Sequence, residues 1–455
     1  VTRGAIAAAT AAARQAATTD AALIEANRDS SPAMVAQRAA DAACLVAIGV
    51  ARYDAPRAAG ELRALFRGQW ANGMLPHMIF AEGVHDVGSR RLWQSRNNPA
   101  APRDVETSCI TQPPLPAVAA AHVARALPDD DRRSFLTNVY PRLVAYHRWL
   151  YRERDLEGRG LVTLIHPWEC GLDTTPPWMD ELRRMPAPWW MRLALGLHLA
   201  RVVRFLRRDT RFVPAAERPS DDDGLRMLVL ARRAKRHDFE LRRMPPDRSV
   251  LIEDLAFNAL LVVANRCLQG IADDLGVTID QDLARCFETT HAALGELWDD
   301  SRGEYYSRQA VTGDRLAMST VATFVPLWAG VAPPRVAKLV ALFRQPRRYG
   351  PVFPVPSVAV DAPEFDANRY WKGPTWINMN WVVIQGLREC GETTMADDLR
   401  QRTLDLVEQT GFFEYFSPIS GRGFGAEEFS WTAALVIDLL GDDHPAHERD
   451  ASHDG

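Results

Sequence analysis

The sequence predicts an all-α protein, a helical toroid built from paired helices. Three observations lead there. Apolar residues recur at helical spacing over much of the 455-residue chain, two-residue alternation is scarce, and no repeat of the roughly 33 to 47 residues that solenoids use can be found. Taken in order, the segment from Leu115 to Leu127 reads as a helix, with Pro113, Pro114 and Pro116 where a first turn tolerates them and Pro128 past its end. Met191 to Arg208 reads as a long amphipathic helix. Phe257, Leu260, Leu261, Ala264, Leu268 and Ile271 mark another, entered through Glu253-Asp254. The last runs from about Phe429 to Leu440 and stops at Gly441. The best strand candidate is Trp298–Arg308, where Ser301-Arg302-Gly303 could turn a short hairpin ending in Tyr305-Tyr306.

Residues 1–440 read as one domain, and Asp442 to Gly455 as a polar, frayed tail whose histidines are too irregular for a metal site. With 47% hydrophobic and 25% charged residues the composition is ordinary for a globular chain. A formal net charge of −4 and a pI near 6.3 leave no footprint for nucleic acid or an anionic membrane. The basic runs Arg201–Arg208 and Arg232–Arg236 spread around helices as solvated faces. No run of about 18 uncharged apolar residues is present, so no membrane span is expected. The cysteines at 44, 109, 170, 267, 286 and 390 form no CxxC pair and sit mostly among apolar neighbours, as buried free thiols do. A reducing cytoplasm is the expected compartment; self-association is left open.

Chemistry concentrates in a few loops. They are Gly68–His77, Thr107–Pro114, His166–Trp178, Arg369–Trp376 and Phe413–Gly423, where aromatic, Gly, Pro and polar residues pile up at or near helix ends. Indole faces cover pyranose C–H groups while amides and carboxylates take hydroxyls, so this composition suits a sugar. Core packing is the alternative for any single tryptophan; five loops of one composition favour binding.

These loops resemble those of the mannosylglycerate and glucosylglycerate hydrolases, related to glycoside hydrolase family 63. The matching motifs are the Gln-Trp/Asn-Gly/Pro-His loop, Thr-Ser-x-Ile-Thr-Gln-Pro-Pro, His-Pro-Trp-Glu-x-Gly-x-Asp, Glu-Asp-x-x-Phe-Asn, Arg-Tyr-Trp-x-Gly-Pro-Thr-Trp, and Glu-Tyr-Phe-x-Pro followed by Phe-Ser-Trp-Thr. They stand in family order over nearly the whole chain. The resemblance implies an (α/α)6 barrel with a loop-built pocket and hydrolysis with inversion, without metal or cofactor. It places the general acid on Asp173 and the general base on Glu414. Inverting enzymes hold such a pair roughly 6.5–9.5 Å apart, leaving room for water. Asp173 should then have a raised pKa, with Trp168, Leu172 and Trp178 as apolar walls.

The same resemblance implies substrate contacts at Asp41, Gln69, Trp70, Gln112, Trp168, Tyr370, Trp371, Lys372, Trp376 and Glu428. Arg207, in the run Arg207-Arg208-Asp209-Thr210, is the expected cation for a carboxylate-bearing aglycone, since a guanidinium fork matches a carboxylate. The partner implied is a small sugar substrate, with glucosylglycerate, split to glucose and glycerate, as the example the resemblance offers.

Two stretches depart from the family. Relatives carry Tyr-x-x-Gln-Trp-x-Trp-Asp in the first inner helix. Here Gln37 and Asp41 remain, while Arg38 and Ala40 replace the aromatic residues. The loop after Phe80, aromatic in relatives, reads Ala81-Glu82-Gly83-Val84-His85-Asp86-Val87. Another short α-glucoside with a different aglycone, or a barrel that binds without catalysis, are the alternative readings.

Overall fold

The computed structural model describes residues 37–80, 91–186, 214, 217–246 and 249–441. Its helices, numbered among those residues, are α1 (Ala40–Ala51), α2 (Ala55–Phe66), α3 (Leu115–Ala126), α4 (Asp129–Arg154), α5 (Pro176–Arg184), α6 (Asp221–Arg236) and α7 (Leu255–Leu275). They continue with α8 (Gln281–Leu294), α9 (Pro326–Ala329), α10 (Pro333–Phe343), α11 (Ile377–Glu389), α12 (Thr393–Thr410) and α13 (Ser430–Gly441). The expected helix at Met191–Arg208 and Arg207 itself lie outside the described residues.

Packing closes into a ring. Helix α1 packs on α3, α3 on α7, α7 on α9, α9 on α11, α11 on α13, and α13 returns to α1. A second layer lies outside: α2 bridges α1 and α3, α4 bridges α3 and α7, α8 covers α7, and α12 bridges α11 and α13. This is the helical toroid that the sequence predicts, and an open solenoid is ruled out by the α13–α1 contact.

Helix α7 shows why these residues take this place. Asp254 caps its start by accepting from the Phe257 N–H at 3.0 Å, and Gly276 ends it with a φ of 69°. Fourteen of its 21 residues are buried, each large apolar one contributing ~1.5–3 kcal/mol. By length and composition it could cross a membrane, but 78% of its most apolar window is buried inside the protein. It is an inner-ring core helix.

Ring closure depends on close approach and on one buried carboxylate. A Cβ on Gly49 of α1 would stand 2.1 Å from the Ala434 carbonyl oxygen of α13, so only glycine lets these helices touch. Asp438 of α13 accepts from the indole N–H of Trp381 on α11 at 2.8 Å and from Nε of Arg52, just past α1, at 2.7 Å.

The turns alternate in length. Inner helices pass to outer ones through residues 52–54, 127–128, 276–280, 330–332 and 390–392. The return connections are long: 67–114, 155–254, 295–325, 344–376 and 411–429. The described parts of these connections therefore gather at the end of the ring where the inner helices begin. Strands there are two or three residues long: β1 (Gln37–Ala39), β2 (Met78–Phe80) and β3 (Glu106–Thr107) form one sheet. β4 (Thr163–Leu164), β5 (Ile252–Glu253) and β8 (Arg308–Gln309) form a second. β6 (Trp298–Asp299) pairs with β7 (Glu304–Tyr305), the hairpin expected around Ser301-Arg302-Gly303, and β9 (Tyr415–Phe416) pairs with β10 (Gly423–Phe424).

Candidate active site

Five long-loop or helix-start residues meet at this end. Asp41 lies in the first turn of α1, where its backbone N–H donates to Gln112 Oε1 at 2.8 Å. Asp173 follows Gly171, whose φ of 77° turns the chain after a short helical turn at Pro167–Glu169. Tyr370 precedes α11 with a φ of 41°, a conformation costly for a non-glycine residue. Its hydroxyl donates to Asp173 Oδ2 over 3.4 Å. Glu414 enters β9, and Arg218 stands in the segment before α6.

The electrostatics separate the two carboxylates expected to do the chemistry. Burial, reinforced by the neighbouring Asp41 charge, raises the Asp173 pKa from 3.8 to about 7. Burial also raises Asp41, to about 6. Glu414, also buried, is met by hydrogen-bond donors. Arg218 Nη1 and Nη2 donate to its two oxygens at 2.9 and 2.8 Å, and the Ala426 N–H adds a third donor at 3.0 Å. The arginine guanidinium also lies 5.5 Å from the Tyr370 ring centre. A chain of contacts thus runs from Asp173 through Tyr370 and Arg218 to Glu414.

The hairpin β9–β10 shapes the Glu414 end. Gly425 has a φ of 78°, and a Cβ there would fall 2.4 Å from Glu414 Oε2. Glu217 docks on the same hairpin: its Oε2 accepts from the Gly425 N–H at 2.9 Å and its carbonyl accepts from the Tyr415 hydroxyl. Trp371 and Trp376, both buried, stack 3.9 Å apart and nearly parallel. Trp376 then gives its N–H to the Tyr370 carbonyl at 3.1 Å. Each covers one face of the other, Tyr415 stacks on Trp376 at 4.9 Å, and the pair backs Tyr370.

Other expected residues are placed as follows. Trp168 is half-buried, its ring 4.3 Å from His166 and stacked 6.4 Å from His77. Burial lowers His166 to about 4 and His77 to about 3, so both stay neutral. Trp178 and Leu172 are buried, as expected, and Trp178 donates to Asp254 at 3.0 Å. Lys372 forms an ion pair with Asp223 at 2.8 Å. Glu428 is exposed, with a φ of 53°. Gln69 donates to the Gly73 and Arg142 carbonyls, and Trp70 to Thr107. These two line a separate cleft of about 1050 Å³ between the 67–114 loop and α4, which none of the five site residues borders. Their N–H donors are used within the protein, while Gln69 Oε1 is buried with no partner among the described residues.

Two residues carry roles that no sequence motif assigned. Glu169 is fully buried and accepts from Arg154 twice, at 3.0 and 2.7 Å, and from the Ile165 and Thr111 N–H groups. It ties the end of α4 to the loops carrying Asp173 and Gln112. Arg218 is the other. The sequence signals a need for a cation, but the candidate it offers is Arg207, eleven residues earlier in the chain.

A family model, the mannosylglycerate hydrolase MGH1-like glycoside hydrolase domain, matches residues 36–432. The chain is 37% identical over 402 residues to a mannosylglycerate hydrolase of Thermus thermophilus, covering 86% of this chain and 91% of that one. It is 32% identical over 418 residues to a glucosylglycerate hydrolase of Mycolicibacterium hassiacum, covering 88% and 90%. The crystal structure of a family GH63 mannosylglycerate hydrolase from Thermus thermophilus, in complex with Tris and D-glycerate, superposes with a TM-score of 0.80. The identity is 33%, over 93% of this chain and 99% of that one. With the ring, the paired carboxylates and these relatives in view, the chain is an O-glycosyl hydrolase and belongs to the mannosylglycerate hydrolase MGH1-like family of glycoside hydrolases.

Proposed function

We propose that this chain cleaves, with inversion, the α-glycosidic bond of a small glycoside whose aglycone carries a carboxylate. Glucosylglycerate, giving glucose and glycerate, is the first substrate to try, with mannosylglycerate beside it. Asp173 is the general acid: it hands its proton to the glycosidic oxygen as the bond to the anomeric carbon breaks. Glu414 is the general base: it takes a proton from the water that attacks that carbon from the opposite face. The observation that carries this reading is the contrast between the two groups. Asp173 keeps its proton up to about pH 7, whereas Glu414 is met by three hydrogen-bond donors.

Asp41, held by Gln112, and Tyr370 are polar neighbours of Asp173 and would take sugar hydroxyls. Trp168 supplies the partly exposed indole of the pocket. Lys372 would act through Asp223 and α6, and the exposed Glu428 would serve at the pocket rim. The six free cysteines suit a reducing cytoplasm.

The test follows each candidate glycoside by NMR. β-Glucose or β-mannose should appear first and then mutarotate. Asp173→Asn should lose about 10²–10⁴-fold in kcat while staying folded. First appearance of the α-anomer would rule out inversion, and turnover unchanged in Asp173→Asn would remove the assigned acid.

A further inference from the structure

The proposed base is held in a contact that works against it. A carboxylate offers about four acceptor positions, and three of Glu414's are filled, two of them by a cation. Such a group has little left with which to draw a proton from water. The pair is also shielded, with 14% of the Arg218 side chain and 6% of the Glu414 side chain exposed. Water therefore does little to loosen it.

Arg218 is nevertheless built to receive a further acid. Its Nε–H is buried and has no hydrogen-bond partner among the described residues. A guanidinium carries five N–H donors in a planar fork, and Glu414 uses one edge. The stem is fixed from behind, because its neighbour Glu217 is bonded to Tyr415 in β9 and to Gly425, the residue after β10. The Tyr370 ring lies against the guanidinium, and the Tyr370 hydroxyl reaches Asp173, which faces the glycosidic oxygen in the reading above. The arginine is therefore joined directly to the base and, through Tyr370, to the acid.

We propose that Arg218 is a positioning and specificity-determining residue that keeps Glu414 paired until the carboxylate of the substrate's aglycone takes over part of its fork. This rests on the function proposed above. A carboxylate arriving beside Arg218 accepts from its N–H groups and draws the guanidinium from Glu414. One Glu414 oxygen is then open to the attacking water, whose proton it accepts as the oxygen bonds to the anomeric carbon. A glycoside with a neutral aglycone leaves the Arg218–Glu414 pair intact and reacts slowly. Selectivity for acidic aglycones would then appear in kcat as well as in KM.

The experiment uses α-glucosyl and α-mannosyl fluoride, whose small leaving group needs no proton and leaves the aglycone space open. Hydrolysis to sugar and fluoride is followed with and without D-glycerate, in the wild type and in Arg218→Gln. Added glycerate should raise the wild-type rate several-fold and saturably. Arg218→Gln should hydrolyse the fluoride faster than the unstimulated wild type and should not respond to glycerate. With whole substrates, the preference for glucosylglycerate over glucosylglycerol should shrink roughly 100-fold in the variant.

Glycerate that only inhibits the wild type overturns the proposal, as does stimulation that persists in Arg218→Gln. A wild type that splits glucosylglycerate yet is never stimulated on fluoride overturns this proposal alone; one that turns over none of the compounds overturns the function itself. If Arg218→Gln does not fold, the wild-type fluoride measurement still decides. Arg218→Lys then serves as the second variant, keeping the charge without the fork and answering glycerate weakly.

Discussion

Asp173 keeps its proton because its surroundings penalise the anion: burial is the larger effect, and the Asp41 carboxylate adds to it. The alkaline limb of kcat against pH should accordingly fall with an apparent pKa near 7, and Asp41→Asn should move that limb to lower pH. The same shift acts on stability. A carboxyl raised in the folded state gives its full contribution below 3.8, its value in the unfolded chain, and loses it as pH climbs through about 7. Asp173→Asn should therefore be more stable than the wild type at pH 8, by on the order of 2–4 kcal/mol in urea unfolding, and indistinguishable at pH 3. A variant less stable at pH 8 would contradict the assigned environment. Gly425 is the second sensitive residue. Gly425→Ala places a methyl 2.4 Å from Glu414 Oε2 at a φ of 78°, so it should cost about 1–3 kcal/mol and most of the activity.

At the scale of elements, helix ends were the readable part of the sequence. Asp254 before Phe257 caps the start of its helix where the sequence places it, and the hairpin at Ser301–Gly303 forms where its turn residues stand. Asp173 and Glu414 could be put forward because they stand in short motifs that resemble the family's. Arg218 could not, because its partner is 196 residues away and no periodicity encodes which loops meet across a ring. The contacts of Gln69 were equally hidden from the sequence. Its motif marks a loop that must fold in a particular way, and here its amide binds the Gly73 and Arg142 carbonyls. Glu169 shows the same burial of purpose. Glu169→Gln leaves Arg154 buried without its counter-charge and should cost about 3–5 kcal/mol, with kcat falling as the Asp173 loop loosens. If stability were lost with kcat intact in the folded fraction, Glu169 would be a brace for the core alone.

For the whole molecule the decisive contact joins the two ends of the helical series. Gly49 meets the Ala434 backbone, and Asp438 pins Trp381 and Arg52. Gly49→Ala should strain this seam, lowering Tm by several degrees while leaving the caps of the other helices intact. The seam has a consequence for how the molecule comes apart. An open array of helical hairpins has terminal members with a single neighbour, and it can fray from either end in steps. In the ring each inner helix is flanked on both sides, so no hairpin is first to go. The barrel should then melt in one cooperative calorimetric transition, with its van't Hoff and calorimetric enthalpies in agreement. Gly49→Ala, by giving the ring an end, should broaden that transition or split it.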